Sequence, residues 1–234
     1  MSNYIQRPTF NNASVVKTLL ILNIAVYILT YLVHSTQGYD LDINLGLHYF
    51  GADNFKPHQL ISFLFMHAPL WEGTNNIFHI VFNMYGLWMF GQILENYWGS
   101  KRFFTYYMIC GIGSGLTQEL AWYYYLHHDQ LLMSLASSPQ YETYINQITA
   151  IGASGAIFGL LLAFGMIFPN VPLFIMFIPV PIKAKWLVIG YGLYELFGGV
   201  SNRGGDNVAH YAHIGGIIFG FVMIMIWKRK PRTN

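Results

Sequence analysis

The sequence predicts an all-α membrane protein, a six-transmembrane-helix bundle with a partly embedded loop between helices 1 and 2. Three observations lead there. The 234 residues are only 9% charged while 54% are hydrophobic and 18% aromatic, against about 25% charged residues in soluble globular chains. So few charges cannot cover a water-facing surface, which excludes an ordinary soluble domain. Six apolar segments recur, at 18–33, 77–94, 103–126, 148–168, 186–200 and 208–227, and about 20 residues span roughly 30 Å of hydrocarbon. Finally, the basic residues fall on one side. With six spans, the inner side holds Arg7, Lys17, Lys101, Arg102, Lys183, Lys185, Lys228, Arg229, Lys230 and Arg232, and the outer side only Lys56 and Arg203. Such an excess marks the cytoplasmic face, so both termini are expected inside.

Along the chain, residues 1–14 form a short polar N-terminal segment, 15–227 the membrane domain and 228–234 a basic tail. The first apolar run follows a polar leader and has no A-x-A cleavage site, so it is expected to stay as a span rather than be removed as a signal. With no transit peptide visible, a bacterial inner (cell) membrane is the expected location. Residues 35–76 form a long, semi-apolar loop, "HQLISFLFMHAPLW" within it, expected to lie at the interface or dip into the outer leaflet. The piece "VPLFIMFIPVPI" at 171–182 has three prolines and reads as a loop or re-entrant element. "AWYYYL" at 121–126 reads as an interfacial anchor. The single cysteine, Cys110, excludes an intramolecular disulfide, and there is no Cys/His zinc pattern and no polybasic block for nucleic acid.

Spans two, four and six run from outside to inside and carry polar groups at one depth. These are His79 and Asn83, then Ser154, then His210 and His213, each roughly 3–10 Å below the outer boundary. Polar groups inside a membrane are costly and so are functional candidates. His79 and Asn83 are four apart and share a helix face. Glycines flank the serine (Gly152, Gly155, Gly159) and follow the last histidine (Gly215, Gly216, Gly220), in the small-xxx-small strings "GAIFG" and "GIIFG". Such strings let helix backbones approach closely. A serine hydroxyl could then reach an imidazole, with Ser154 as nucleophile and His213 as base. His79, Asn83 and the Ser154 amide could donate to a developing oxyanion. The sequence shows no carboxylate partner for His213. Glu119 and Glu195 are compatible with partnered structural groups and are given no role, His127 and His128 read as solvated loop residues, and His67 as a loop stabiliser or site-lining residue. Each candidate has a duller reading: a serine among glycines packs helices, and a membrane histidine bonds structurally. A path of His67, His79, His210 and His213 for a metal or protons is the alternative from another class of function.

"GASG" around Ser154, "HIVFN" at 79–83 and "AHIGG" at 212–216 resemble, together and in that order, the three signatures of rhomboid intramembrane serine proteases. "LENYWGSKRF" at 94–103 also looks like that family's segment between its second and third helices. The resemblance covers about residues 15–227. It implies a six-helix serine endopeptidase, without cofactor or metal, that cuts transmembrane segments of protein substrates near the outer face of the bilayer. The family's Ser/His dyad falls on Ser154 and His213, and its oxyanion donors on His79, Asn83 and the Ser154 amide. Gly152, Gly155 and Phe158 fall at site-supporting positions, and His210 matches an extra histidine one turn before the base. The embedded loop would be 35–76 and the gate 186–207. Two departures stand out. The first loop has "KPHQLISF" where many bacterial relatives have a Trp-Arg pair, and Phe158 stands where many have a tyrosine stacked on the histidine. A non-proteolytic relative that binds membrane helices is the alternative within this resemblance.

Overall fold

The structure is a computed structural model that describes residues 14–73, 76–174, 180–201 and 210–229. Most of the N-terminal segment, the tail beyond residue 229 and the connection at 202–209 with Arg203 and Asp206 lie outside the described residues. The chain is mostly helical, and six long helices dominate: α1 (Val15–Gln37), α2 (Ile77–Trp98), α3 (Ser100–His128), α4 (Ser154–Ile167), α5 (Ala184–Ser201) and α6 (His210–Arg229). By length and composition, three are long and apolar enough to cross a membrane: α1, α2 and α6 over His210–Lys228. Their outward residues are large and apolar, among them Ile21, Leu32, Phe82, Trp88 and Phe221, as lipid contact demands.

The fourth helix differs from its apolar run. The run spans 148–168, but the helix starts only at Ser154. Residues Thr149–Ala150 form β2, which pairs antiparallel with β1 (Leu47–His48) of the first long loop. Gly152 then turns the chain at φ 125°, a conformation that favours glycine. The 14 helical residues of α4 are therefore only about 21 Å long, shorter than the other five long helices.

The centre of the molecule is α4, packed against α3 and α6. Tyr106, Leu160, Ala163 and Phe164 fill the core there. Helices α4 and α6 touch through glycine. A Cβ on Gly216 would lie within covalent distance of the Gly155 carbonyl oxygen, so the small-xxx-small strings meet each other.

Two carboxylates hold the frame. Glu95, near the C-terminal end of α2, accepts from the backbone N–H groups of Val15 and Val16 at 2.8 and 3.1 Å and from the hydroxyls of Ser14 and Ser100 at 2.7 and 2.6 Å. It supplies acceptors that the first turn of α1 lacks within its own helix. Glu119 on α3 accepts the N–H of Phe50 at 2.9 Å and so ties the first loop to the bundle. That loop is folded, not slack. It holds short helical turns at Asp42–Leu45, Gln59–Ser62 and Phe63–Phe65, and the Gln59 side chain binds Lys56 N–H and the Asn54 carbonyl, each at 3.0 Å. The outer connection after α3 carries two more helices, Gln130–Ser134 and Pro139–Gln147. In the proline-rich piece, β3 (Pro172–Leu173) pairs with β4 (Ile182–Lys183) as a hairpin; residues 175–179 lie outside the described part.

Candidate active site

The site forms where the late start of α4 meets the first turn of α6. Ser154 is the first residue of α4 and His213 the fourth of α6. The close glycine contact just below draws the two helices together. Ser154 Oγ lies 2.7 Å from His213 Nε2, a hydrogen-bonding distance. The imidazole stacks on Phe158, one turn along α4, with ring centroids 4.4 Å apart at 18°. A phenylalanine thus keeps the stacking expected of a tyrosine. Tyr191 of α5 meets the edge of Phe158 at 6.1 Å.

His79 approaches from α2. Its Nδ1 accepts the N–H of Ala68 at 3.2 Å, so in the neutral ring the proton sits on Nε2. That nitrogen faces Gly152. A Cβ placed on Gly152 would sit 2.8 Å from His79 Nε2 and 3.6 Å from Ser154 Oγ. The missing side chain therefore leaves a space beside both a donor and a hydroxyl. The N–H of Gly152 is itself engaged, donating to the Phe63 carbonyl at 2.9 Å, which locks the turn. Asn83 is buried, and its amide donates to the His79 carbonyl at 2.7 Å. Its second N–H remains for another acceptor. His67 packs its ring 5.1 Å from that of His79. It is 2% exposed, and burial pushes its pKa down to about 3.

On the far side of His213 stands Glu195 of α5. Its Oε2 lies 2.6 Å from His210 Nδ1 and 2.9 Å from His213 Nδ1. The contact to His213 is out of line for a hydrogen bond of the ring N–H. Glu195, His210 and His213 are all buried, at 3%, 6% and 8% exposure, and a buried carboxylate is tolerated only when paired in this way. Sequence reasoning had left Glu195 without a role. The signal was its depth: counted from the outer end of the fifth apolar segment it lies about as far in as His213 from the outer end of the sixth. Among the described residues, no three His, Cys, Asp or Glu side chains are arranged to hold a metal ion.

Fold and site together define a multi-pass integral membrane protein with a Ser/His contact buried at the head of its central helices. The chain belongs to the rhomboid family: the family model described as Rhomboid domain matches residues 54–230. It is similar to the yeast Saccharomyces cerevisiae protein "Rhomboid protein 1, mitochondrial", 29% identical over 69% of this chain and 39% of that protein. It is also similar to the Arabidopsis thaliana protein "RHOMBOID-like protein 12, mitochondrial", 28% identical over 76% of this chain and 48% of that one. The chain thus spans less than half the length of either relative. The expectation of a bacterial cell membrane gains no support from these two relatives, whose names place them in mitochondria.

Proposed function

We propose that this chain is an intramembrane serine endopeptidase that cleaves transmembrane segments of other membrane proteins near the outer side of the bilayer. The observation that carries the reading is the 2.7 Å contact between Ser154 Oγ and His213 Nε2, in a chain of the rhomboid family. Ser154 Oγ attacks the scissile carbonyl carbon as its proton passes to His213 Nε2. The oxygen of the tetrahedral intermediate occupies the space beside Gly152, where His79 Nε2–H, the second N–H of Asn83 and the Ser154 amide donate to it. The C–N bond then breaks, and the amine departs with the proton from His213. Water repeats the sequence on the acyl-serine: its proton goes to His213, the acid leaves, and Ser154 regains its hydrogen.

Substrate is a helix that reaches the site from lipid and unwinds locally. A shallow apolar groove lined by Trp186, Leu187, Gly190, Tyr191 and Tyr194 on α5 supports that approach, because Tyr191 abuts Phe158 and through it His213. The full reading has α3, α4 and α5 cross the membrane along with α1, α2 and α6, as one domain over 15–227 with both ends on the inner side. No cofactor or metal enters the scheme.

The test is labelling of detergent-solubilised protein with a serine-reactive fluorophosphonate, alongside cleavage of a reporter transmembrane substrate. Wild type is expected to label and cut, whereas Ser154→Ala and His213→Ala do neither. Cleavage that survives Ser154→Ala ends the protease reading. Uncut substrate that still binds tightly to wild type would favour a non-proteolytic helix-binding protein.

A further inference from the structure

We infer that Glu195 is the positioning carboxylate of His213, so that Ser154, His213 and Glu195 act as a triad rather than a dyad. This rests on the hydrolytic role proposed for Ser154 and His213. The atoms follow one another in the order of a triad: Ser154 Oγ lies 2.7 Å from Nε2, and Glu195 Oε2 lies 2.9 Å from Nδ1 of the same ring. A carboxylate at Nδ1 does two things. It favours the tautomer with the proton on Nδ1, which leaves the Nε2 lone pair free to take the serine proton. It also faces the imidazolium that forms once that proton has moved, from the buried side of the ring.

The same oxygen lies 2.6 Å from His210 Nδ1. His210 thus holds the same carboxylate and restricts its rotation. His210 in turn packs against Gly198, where a Cβ would collide with the imidazole. Tyr211 donates to the Gly199 carbonyl at 2.8 Å. The last turns of α5 are therefore clamped to the first turn of α6, and the clamp sets the position of Glu195. The Nδ1 contact is close but off-axis, and hydrogen bonds of this kind often straighten only when substrate is bound. Phe158 stacks on the face of His213, so the ring can turn in its own plane to make that adjustment.

Charge and shape separate this role from a structural one. Glu195→Gln keeps the shape and removes the charge; Glu195→Asp keeps the charge and shortens the reach. The fluorophosphonate labelling rate of solubilised protein is measured for both, with the melting temperature of each and with kcat and KM on a reporter transmembrane substrate. The glutamine variant is expected to label slower than wild type by on the order of 10² to 10⁴-fold. Its loss should lie in kcat, with KM held within about twofold. The aspartate variant should label faster than the glutamine variant. A glutamine variant as fast as wild type, or as fast as the aspartate variant, overturns the inference. So does loss of labelling that accompanies loss of the folded protein in both variants, since Glu195 is then structural. Failure of wild type to label, or labelling that persists in Ser154→Ala, sinks the hydrolase reading instead, so the two failures are told apart.

Discussion

His67 shows how much one buried side chain can say about stability. Buried, and with its pKa pushed down to about 3 by that burial, it stays neutral in the fold through the mildly acidic range. The unfolded chain binds a proton there below about pH 6.5. The unfolded state therefore carries more protons between about pH 6.5 and 3, and stability contributed at this position falls as pH drops through that window. The melting temperature of wild type is expected to fall from pH 7 to pH 5, and His67→Phe, which leaves no polar atom unsatisfied, should show a shallower slope. Equal slopes would refute the assignment. Gly152 offers a second test. Its φ of 125° and the 2.8 Å approach of His79 to a would-be Cβ make Gly152→Ala strained by about 1–3 kcal/mol. The added methyl also fills the space assigned to the oxyanion. Labelling and cleavage should drop by at least about tenfold even where the protein remains folded, and wild-type rates would remove Gly152 from the site.

Among the elements, α4 and α6 meet too closely for any side chain at one point. A Cβ on Gly216 would overlap the Gly155 carbonyl, so Gly216→Ala must push the helices apart. Since the Ser154–His213 contact lies just above that crossing, the expected result is a lower melting temperature together with lost labelling. A variant that melts as wild type and labels normally would show that the helices do not cross there. The same elements show what was legible beforehand. Ser154, His79, Asn83 and His213 could be singled out because polarity inside an apolar run is visible in one dimension. The start of α4 was not visible, because apolar periodicity continues through Thr149–Ala150, and only pairing with Leu47–His48 across the chain makes those residues a strand. Glu195 was seen but given no role. Its contact with His213 depends on how α5 lies against α6, which no spacing along the chain encodes.

At the scale of the whole molecule, the six crossings proposed above go beyond the three helices that qualify by length and hydropathy. Helix α3 has 29 residues, about 44 Å of length, yet it falls outside the helices that qualify by apolar average. Its polar residues Ser114, Gln118 and Glu119 are buried against the bundle, while Phe104, Leu116, Leu120 and Tyr124 face outward. An average over both faces counts inward polarity as though lipid saw it; the lipid-facing side alone meets the requirement. If α3, α4 and α5 all cross, the number of spans is even and both ends of the chain lie on one side, an arrangement in which lysine and arginine divide ten to two. An epitope placed at the C-terminus and another placed after Asn54, in the first loop, should then lie on opposite sides. In sealed right-side-out vesicles, added protease should remove the Asn54 epitope and spare the C-terminal one until detergent is added. Protection of both, or loss of both, would mean an even number of crossings between these points and would end the six-span reading.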